Sequence, residues 1–475
     1  MASGHKGFLP LAWTAATALS ALGWWFGSGL QPQWWLTWLA PLPVLWLASR
    51  ARALWVALAA LLAYAIGGLN QWLYMHQVIR LPLSVIVCAT VLPGVALALC
   101  ALLFRGLLLR GRVLAAVLVV PSAWVTVEYI GSLLSPHGTF GNISYTQMDN
   151  LPIVQVAAIA GIWGIGFLLW LLPTAIAALL ATQATKRERI LVAIITVLPI
   201  AAAVAYGTWR LQVPGETSVR IGLVSLEKPI RPALEDADGQ ALQARYVKTV
   251  EHLAGAGAKV VLMPETSFSS QSATVPAFAA LAAQHGVTLG IGIDARSDPQ
   301  AERNTLAVYR PGEAAPITYS KHHLIPGLER QYTPGNHYTL LDGAPRVGLA
   351  VCKDMDFHDI GQAYAARRVQ LLLVPAWDFG VDGWLHSRMA IMRGVESGFA
   401  IARVARSGRL TLSDDRGRVV AESSSEDHDE TLVGDLFLRD TSTLYGRWGD
   451  WWAWLCLVGA AGCVALYFLR RRAIS

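Results

Sequence analysis

Apolar residues run almost unbroken through 8–27, 33–49, 53–75, 81–104, 112–134, 151–181 and 190–208, and again through 450–469. A hydrocarbon core about 30 Å thick is crossed by a helix of ~20 such residues. The pattern therefore predicts a membrane domain of about seven spans over 1–210 and a C-terminal transmembrane helix over 450–469. Gly23, Gly27, Pro41 and Pro43 interrupt the first two runs, which leaves a short re-entrant pair as the alternative there. Trp24, Trp25, Trp34 and Trp35 lie between them and read as an interfacial belt.

From residue 215 to 445 the pattern changes. Short β-like runs at 219–226, 260–263, 288–293, 304–310, 316–320, 346–352, 369–374, 399–406 and 431–436 alternate with amphipathic helical runs at 237–254, 276–285, 359–368 and 384–397. Strands alternating with helices predict a layered α/β domain. No repeat and no glycine-rich phosphate loop interrupts it.

Composition supports this division. At 54% hydrophobic and 15% charged residues, the chain is too apolar for a soluble enzyme of 475 residues. The net charge of +6 is not a nucleic-acid footprint. Lys6, Arg50, Arg52, Arg105, Arg110, Arg112, Lys186, Arg187, Arg189 and the terminal Arg470, Arg471 and Arg472 fall on alternate connections between apolar runs, while the intervening ones offer little beyond Arg80. The positive-inside rule then predicts cytoplasmic termini, and an odd number of spans puts the α/β domain outside, which is the periplasm if the cell is Gram-negative. A cleaved signal peptide over 1–27 is the competing reading, but the run continues into Trp24 and Trp25 without a small-residue cleavage site.

Cys88, Cys100, Cys456 and Cys463 lie in apolar runs, so Cys352 is the one cysteine of the α/β domain. His322 and His323 are adjacent, a poor geometry for joint metal ligation, and no metal or cofactor is expected. Three able side chains each end a β-like run: Glu265 after Val260-Val261-Leu262-Met263-Pro264, Lys321 after Ile317-Thr318-Tyr319-Ser320, and Cys352 after Val347-Gly348-Leu349-Ala350-Val351. Strand ends of an open α/β sheet converge on a crevice. A thiol needs a base or a positive field to act as a nucleophile, which Glu265 and Lys321 are suited to supply. Lys321 and the backbone N–H of Lys353 suit the oxyanion that follows attack on a carbonyl. Taken singly, each residue has a plainer reading: a lone cysteine after an apolar strand is usually core, and a strand-end Glu or Lys is usually solvated.

Order and local text shift that balance. Pro264-Glu265, Tyr319-Ser320-Lys321-His322-His323-Leu324 and Val351-Cys352-Lys353-Asp354-Met355-Asp356-Phe357 resemble the three catalytic blocks of the nitrilase superfamily, in the same order. Asn304-Thr305, Pro375-Ala376-Trp377 and the segment from Trp384 to Glu396 extend the likeness over 217–436. The resemblance implies an αββα sandwich with a Glu-Lys-Cys triad, and Glu329 matches the superfamily's additional active-site glutamate. With the membrane spans, and with Trp124, Glu128, Tyr129 and Ser144-Tyr145-Thr146-Gln147, the chain resembles the apolipoprotein N-acyltransferase family. That family moves an acyl chain from a phospholipid, through a cysteine thioester, to the N-terminal amine of a diacylglyceryl-cysteine lipoprotein. The chain departs from the family's pattern at Gly131-Ser132, at Thr139-Phe140-Gly141, at Lys353-Asp354, at Val374 to Asp378, and in a short Glu329-to-Cys352 stretch.

Three functions follow. The first is phospholipid-to-lipoprotein acyl transfer, with Phe268, Trp377, Phe379 and Trp384 offered as hydrophobic substrate contacts, ordinary packing being an equal reading for each. The second is a membrane-tethered amidase acting on a small amide, suggested by the short loop. The third is a binding module on an inactive nitrilase fold, disfavoured because all three triad positions are occupied. Glu128 is expected to reach the interface and make a structural contact, and Arg388 and Arg393 to form ion pairs with Glu396 along one helix.

Overall fold

A computed structural model describes residues 4–181, 184–215, 217–227, 229–298 and 300–469; the arginines at 470–472 lie outside the described residues. They form two compact units. A helical unit takes in the chain up to Leu134, Gly141–Trp209 and the chain from Asp450, and an α/β unit takes in Ser135–Phe140 and Arg210–Gly449.

Among the described residues of the helical unit, six helices are long and apolar enough to cross a membrane: Ala53–Gln71, Leu83–Leu109, Val113–Leu134, Ala157–Leu179, Lys186–Leu211 and Trp451–Phe468. The run at 8–27 lies within a helix over Gly4–Gly27. The run at 33–49 folds as two short helical pieces, Trp34–Thr37 and Leu42–Leu47, because Pro41 and Pro43 remove the donors that would join them. The 151–181 run divides into Leu151–Val154 and Ala157–Leu179, with Gly161 at φ 64° breaking the second piece.

Trp24 is not an interfacial residue. It is 1% exposed, with its ring 4.8 Å from Tyr64 and 5.6 Å from Trp170. Trp25 and Trp35 do stay exposed. Glu128 makes structural contacts: its carboxylate accepts from the Ile143 N–H at 3.1 Å and from Asn142 Nδ2 at 3.0 Å.

The α/β unit contains strands β1 (Thr217–Ser225), β2 (Val260–Leu262), β3 (Phe268–Ser270), β4 (Thr288–Ala295), β5 (Arg303–Tyr309), β6 (Ile317–Ser320), β7 (Leu340–Leu341), β8 (Val347–Leu349), β9 (Leu371–Trp377), β10 (Ala400–Arg406), β11 (Arg409–Ser413), β12 (Val419–Ser424) and β13 (Glu430–Leu438). One sheet runs β13-β1-β2-β4-β5-β6, with β3 also on β4, and the other runs β12-β11-β10-β9-β8-β7. Alternate residues of both sheets meet in one core that includes Ile221, Leu223, Leu262, Leu349, Leu371 and Val404. Burying each such side chain contributes roughly 1.5–3 kcal/mol.

Helices Ala237–Gly255 and Pro276–His285 cover the outer face of the first sheet through Tyr246, Val250, Phe278 and Leu281. Helix His358–Ala366 packs Ile360 and Tyr364 on the second, and Gly383–Ser397 packs Ala390 there. The layers are therefore helix, sheet, sheet, helix, the αββα sandwich expected. The helix predicted at 276–285 has those bounds, and Gly286 and Gly398, at φ 63° and 87°, end two helices in the left-handed conformation. The sequence reading omits β3, β7, β11 and β12. Arg393 pairs with Glu396 as expected, at 2.7 Å, but Arg388 reaches across to Glu422 on β12.

Candidate active site

Glu265, Lys321 and Glu329 come from separate segments and meet in one buried cluster, and the half-buried Cys352 feels the charges of Glu265 and Lys321. Each approach has a local cause. Glu265 sits in the turn after β2, seated against β4 so closely that a Cβ on Gly292 would stand 2.2 Å from the Pro264 carbonyl oxygen. Lys321 follows β6. The Tyr332–Gly335 stretch then folds back onto it, with the Gly335 N–H donating to the Lys321 carbonyl at 2.8 Å. Cys352 leaves β8 at φ 45°, a left-handed conformation that is costly for a residue with a side chain, and opens a 3₁₀ helix over Cys352–Asp356. This sharp turn leaves the thiol half-buried, at 3.7 Å from the Trp377 carbonyl oxygen that accepts its hydrogen bond.

The Lys321 ammonium is 2.7 Å from Glu265 Oε1 and 2.9 Å from Glu329 Oε2, with the lysine side chain fully buried. Asn304 Nδ2 donates to Glu265 Oε1 at 2.6 Å and to Glu329 Oε1 at 2.7 Å. The other Glu329 oxygen accepts from the Ile325 N–H at 2.7 Å. Burial lifts the Glu265 carboxyl above its ordinary range, with Lys321 opposing and Glu329 adding to the lift. Burial works against the Lys321 charge too, but the two carboxylates outweigh it and hold the ammonium well above its usual value. Glu329 is also penalised by burial, yet Lys321 and the Ile325 N–H bring it below the usual carboxylate range. For Cys352, burial and the Glu265 charge push the thiol well up, against the pull of Lys321. The resting group is therefore a neutral thiol under the influence of a buried carboxylate, and such a thiol becomes a nucleophile only by losing its proton.

Lys353 divides into two parts. Its backbone N–H belongs to the first turn of the 3₁₀ helix, where N–H groups lack internal acceptors. Its side chain turns to Asp356 at 2.9 Å and to His137 Nδ1 at 3.2 Å. Phe268 is fully buried between Tyr246 and Phe278 and is a core residue, not a substrate contact. Trp377 ends β9 half-buried, with the Arg406 guanidinium 4.3 Å from its ring centre. Phe379 and Trp384 are half-buried, the latter 5.2 Å beneath Arg388.

Sequence reasoning assigned no role to Asn304, Asp354 or the Arg403–Asp378 pair. Asp354 accepts from the N–H groups of Val351, His322 and His323 at 2.9, 3.1 and 2.9 Å and from the Tyr319 hydroxyl at 2.8 Å, so it ties the lysine strand to the cysteine turn. Arg403 and Asp378 form a buried two-pronged pair at 2.9 and 2.5 Å. Asn304 was visible as part of the Asn304-Thr305 text; its bridging position was not.

The chain matches the apolipoprotein N-acyltransferase N-terminal domain over residues 20–175 and the carbon-nitrogen hydrolase domain over 230–445. Among similar proteins is the apolipoprotein N-acyltransferase of Geobacter metallireducens, 25% identical over 74% of each chain. The enzyme of that name from Gloeobacter violaceus is 27% identical over 92% of this chain and 91% of its own, and the one from Haemophilus ducreyi is 24% identical over 92% and 93%. Among solved structures, an amidase from Nesterenkonia sp. aligns with 47% of this chain and 92% of its own at 22% identity and a TM-score of 0.40. A match to the apolipoprotein N-acyltransferase N-terminal domain followed by one to the carbon-nitrogen hydrolase domain makes the chain similar to apolipoprotein N-acyltransferases along most of its length.

Proposed function

We propose that this protein transfers an acyl chain from a phospholipid, through a thioester on Cys352, to the N-terminal amine of a diacylglyceryl-cysteine lipoprotein. The observation that carries the reading is the convergence of Glu265, Lys321 and Cys352 in a chain whose membrane half matches the acyltransferase domain. That match favours acyl transfer over the hydrolysis of a small amide.

In the first half-reaction the Cys352 sulfur attacks the ester carbonyl carbon as Glu265 takes the thiol proton. The C–S bond forms and the carbonyl electrons move to oxygen. Lys321 Nζ and the Lys353 N–H are the donors proposed for that oxyanion, and fixed donors of this kind are worth about 2.7–4 kcal/mol each. When the oxyanion collapses, the C–O bond breaks and Glu265 returns the proton to the departing lysophospholipid alkoxide. In the second half the acceptor amine attacks the thioester, Glu265 takes an amine proton, and the thiolate leaves and recovers it. Asn304 and Glu329 hold Glu265 and Lys321 in register. Trp377, Phe379 and Trp384 are proposed as apolar surfaces for the substrates.

We place the protein in the bacterial cell (inner) membrane with the α/β unit outside the cytoplasm. Arg50 and Arg52, Arg110 and Arg112, and Lys186 and Arg187 mark alternate connections. The Ser135–Phe140 connection, which groups with the α/β unit, is one of the intervening set.

The test is intact-mass spectrometry of the purified full chain. Incubation with phospholipid should add one acyl chain on Cys352, and a diacylated lipopeptide should then remove it and become triacylated. Absence of the adduct in wild type, or its persistence in Cys352→Ala, rejects the proposal.

A further inference from the structure

The rim of the site carries two arginines that the mechanism above does not use. Arg406 is the last residue of β10 and pairs in register with Trp377, the last residue of β9, so sheet geometry fixes its position. Its guanidinium lies 4.3 Å from the Trp377 ring centre. Arg231 reaches the same indole from the connection after β1, at 5.9 Å, and lies 5.3 Å from the Tyr332 ring.

Arg231 is held in an unusual way. Its φ is 49°, its carbonyl accepts from Ser269 Oγ at 3.2 Å, and its Nε–H is buried with no hydrogen-bond partner among the described residues. A desolvated guanidinium donor without an acceptor is costly, and a left-handed backbone at a residue with a long side chain adds strain. Burial and the nearby Arg231 charge both depress the Arg406 guanidinium, against the opposing pull of Tyr246 and Glu227. The two cations therefore feel one another, on an aromatic platform whose own carbonyl touches the Cys352 thiol at 3.7 Å.

We propose that Arg231 and Arg406, gathered on Trp377, form the subsite that binds the phosphodiester of the glycerophospholipid acyl donor. This rests on the acyl-transfer reading and adds to it a headgroup site. Guanidinium forks match phosphate oxygens in shape and charge. Of the two substrates, the donor carries the obligatory anion, whereas the acceptor presents an amine that two arginines repel. Because the Trp377 carbonyl and indole belong to one residue, a phosphate bound at the indole sets the glycerol ester beside the sulfur. The arginines would thus bring the donor to Cys352 and, once the lysophospholipid leaves, give no hold to the acceptor.

The test compares two acyl donors on the full chain in dodecylmaltoside micelles, reading the rate of acyl adduct formation on Cys352. One donor is dioleoyl phosphatidylglycerol; the other is p-nitrophenyl butyrate, which has no phosphate. Arg231→Gln and Arg406→Gln are each expected to slow acylation by the phospholipid about tenfold or more. Acylation by the nitrophenyl ester should stay within about threefold of wild type. Arg231→Lys, which keeps the charge and loses the fork, should fall between. Equal slowing with both donors, or no slowing with either, overturns the phosphate subsite. Wild-type protein that is acylated by the nitrophenyl ester but not by phospholipid overturns the acyl-transfer reading itself, and the subsite with it.

Discussion

The side-chain amide of Asn304 stands between two carboxylates, 2.6 Å from Glu265 and 2.7 Å from Glu329, and donates to both. The same two oxygens receive the Lys321 ammonium. Asn304→Ala leaves Glu265 with one donor fewer in a buried site. Loss of a hydrogen bond to a charged group costs about 1.5–3 kcal/mol, roughly a ten- to hundredfold fall in the acylation rate. Pre-steady-state adduct formation at neutral pH checks this.

The pH profile follows from the same cluster. In the proposed mechanism Glu265 must be ionised to take the thiol proton, so kcat/KM is expected to fall as pH drops through its folded pKa, which burial sets above the ordinary carboxylate range. Removing the amide donor in Asn304→Ala moves that acid limb to higher pH. Removing the Glu329 charge in Glu329→Gln takes away a neighbour that raises Glu265, and moves the limb to lower pH. Opposite shifts in the two variants are the expected result; shifts of the same sign contradict the assignment of Glu265 as base.

Among the described residues, Lys321 is the cation that pairs with both Glu265 and Glu329, at 2.7 and 2.9 Å. Lys321→Met leaves two buried carboxylates without that partner, a loss of about 3–5 kcal/mol for breaking a buried pair. Stability should recover in part at lower pH, where one carboxyl takes up a proton. In wild type the sign is reversed for Glu329: its depressed pKa contributes stability that is present above the unfolded value and is lost as pH falls toward the folded one. Thermal unfolding of the purified protein across pH measures both.

Asp354 ties the chain before Cys352 to the residues after Lys321 through four accepted hydrogen bonds. Asp354→Ala removes the tie without touching the reacting atoms. The expected effect is a fall in kcat for acylation of about tenfold or more with little change in KM, the mark of misplaced groups rather than lost substrate binding. A change confined to KM would contradict this positioning role.

The order Glu265, Lys321, Cys352 and the end of a β-like run before each were legible because strands and their termini leave a local signature. Strands β11 and β12 escaped, although Leu410 and Leu412 alternate inward, because six and fewer residues give a weak period. In sequence, Trp24 has neighbours that point to an interfacial residue. Its burial depends on Tyr64 and Trp170, which are remote in the chain. For Phe268 the two readings offered by the sequence are separated by packing against Tyr246 and Phe278, which makes it a core ring.

By itself the sequence determined the division into apolar spans and an α/β unit, and the place of Glu265, Lys321 and Cys352 after β-like runs, since hydrophobic period and residue chemistry are local properties. The tertiary structure alone decided that Asn304 bridges Glu265 and Glu329, that Asp354 fastens the cysteine turn, and that Arg231 and Arg406 gather on Trp377. Those relationships join segments tens of residues apart, and their geometry depends on sheet register and turn conformation, which no run of neighbouring residues encodes.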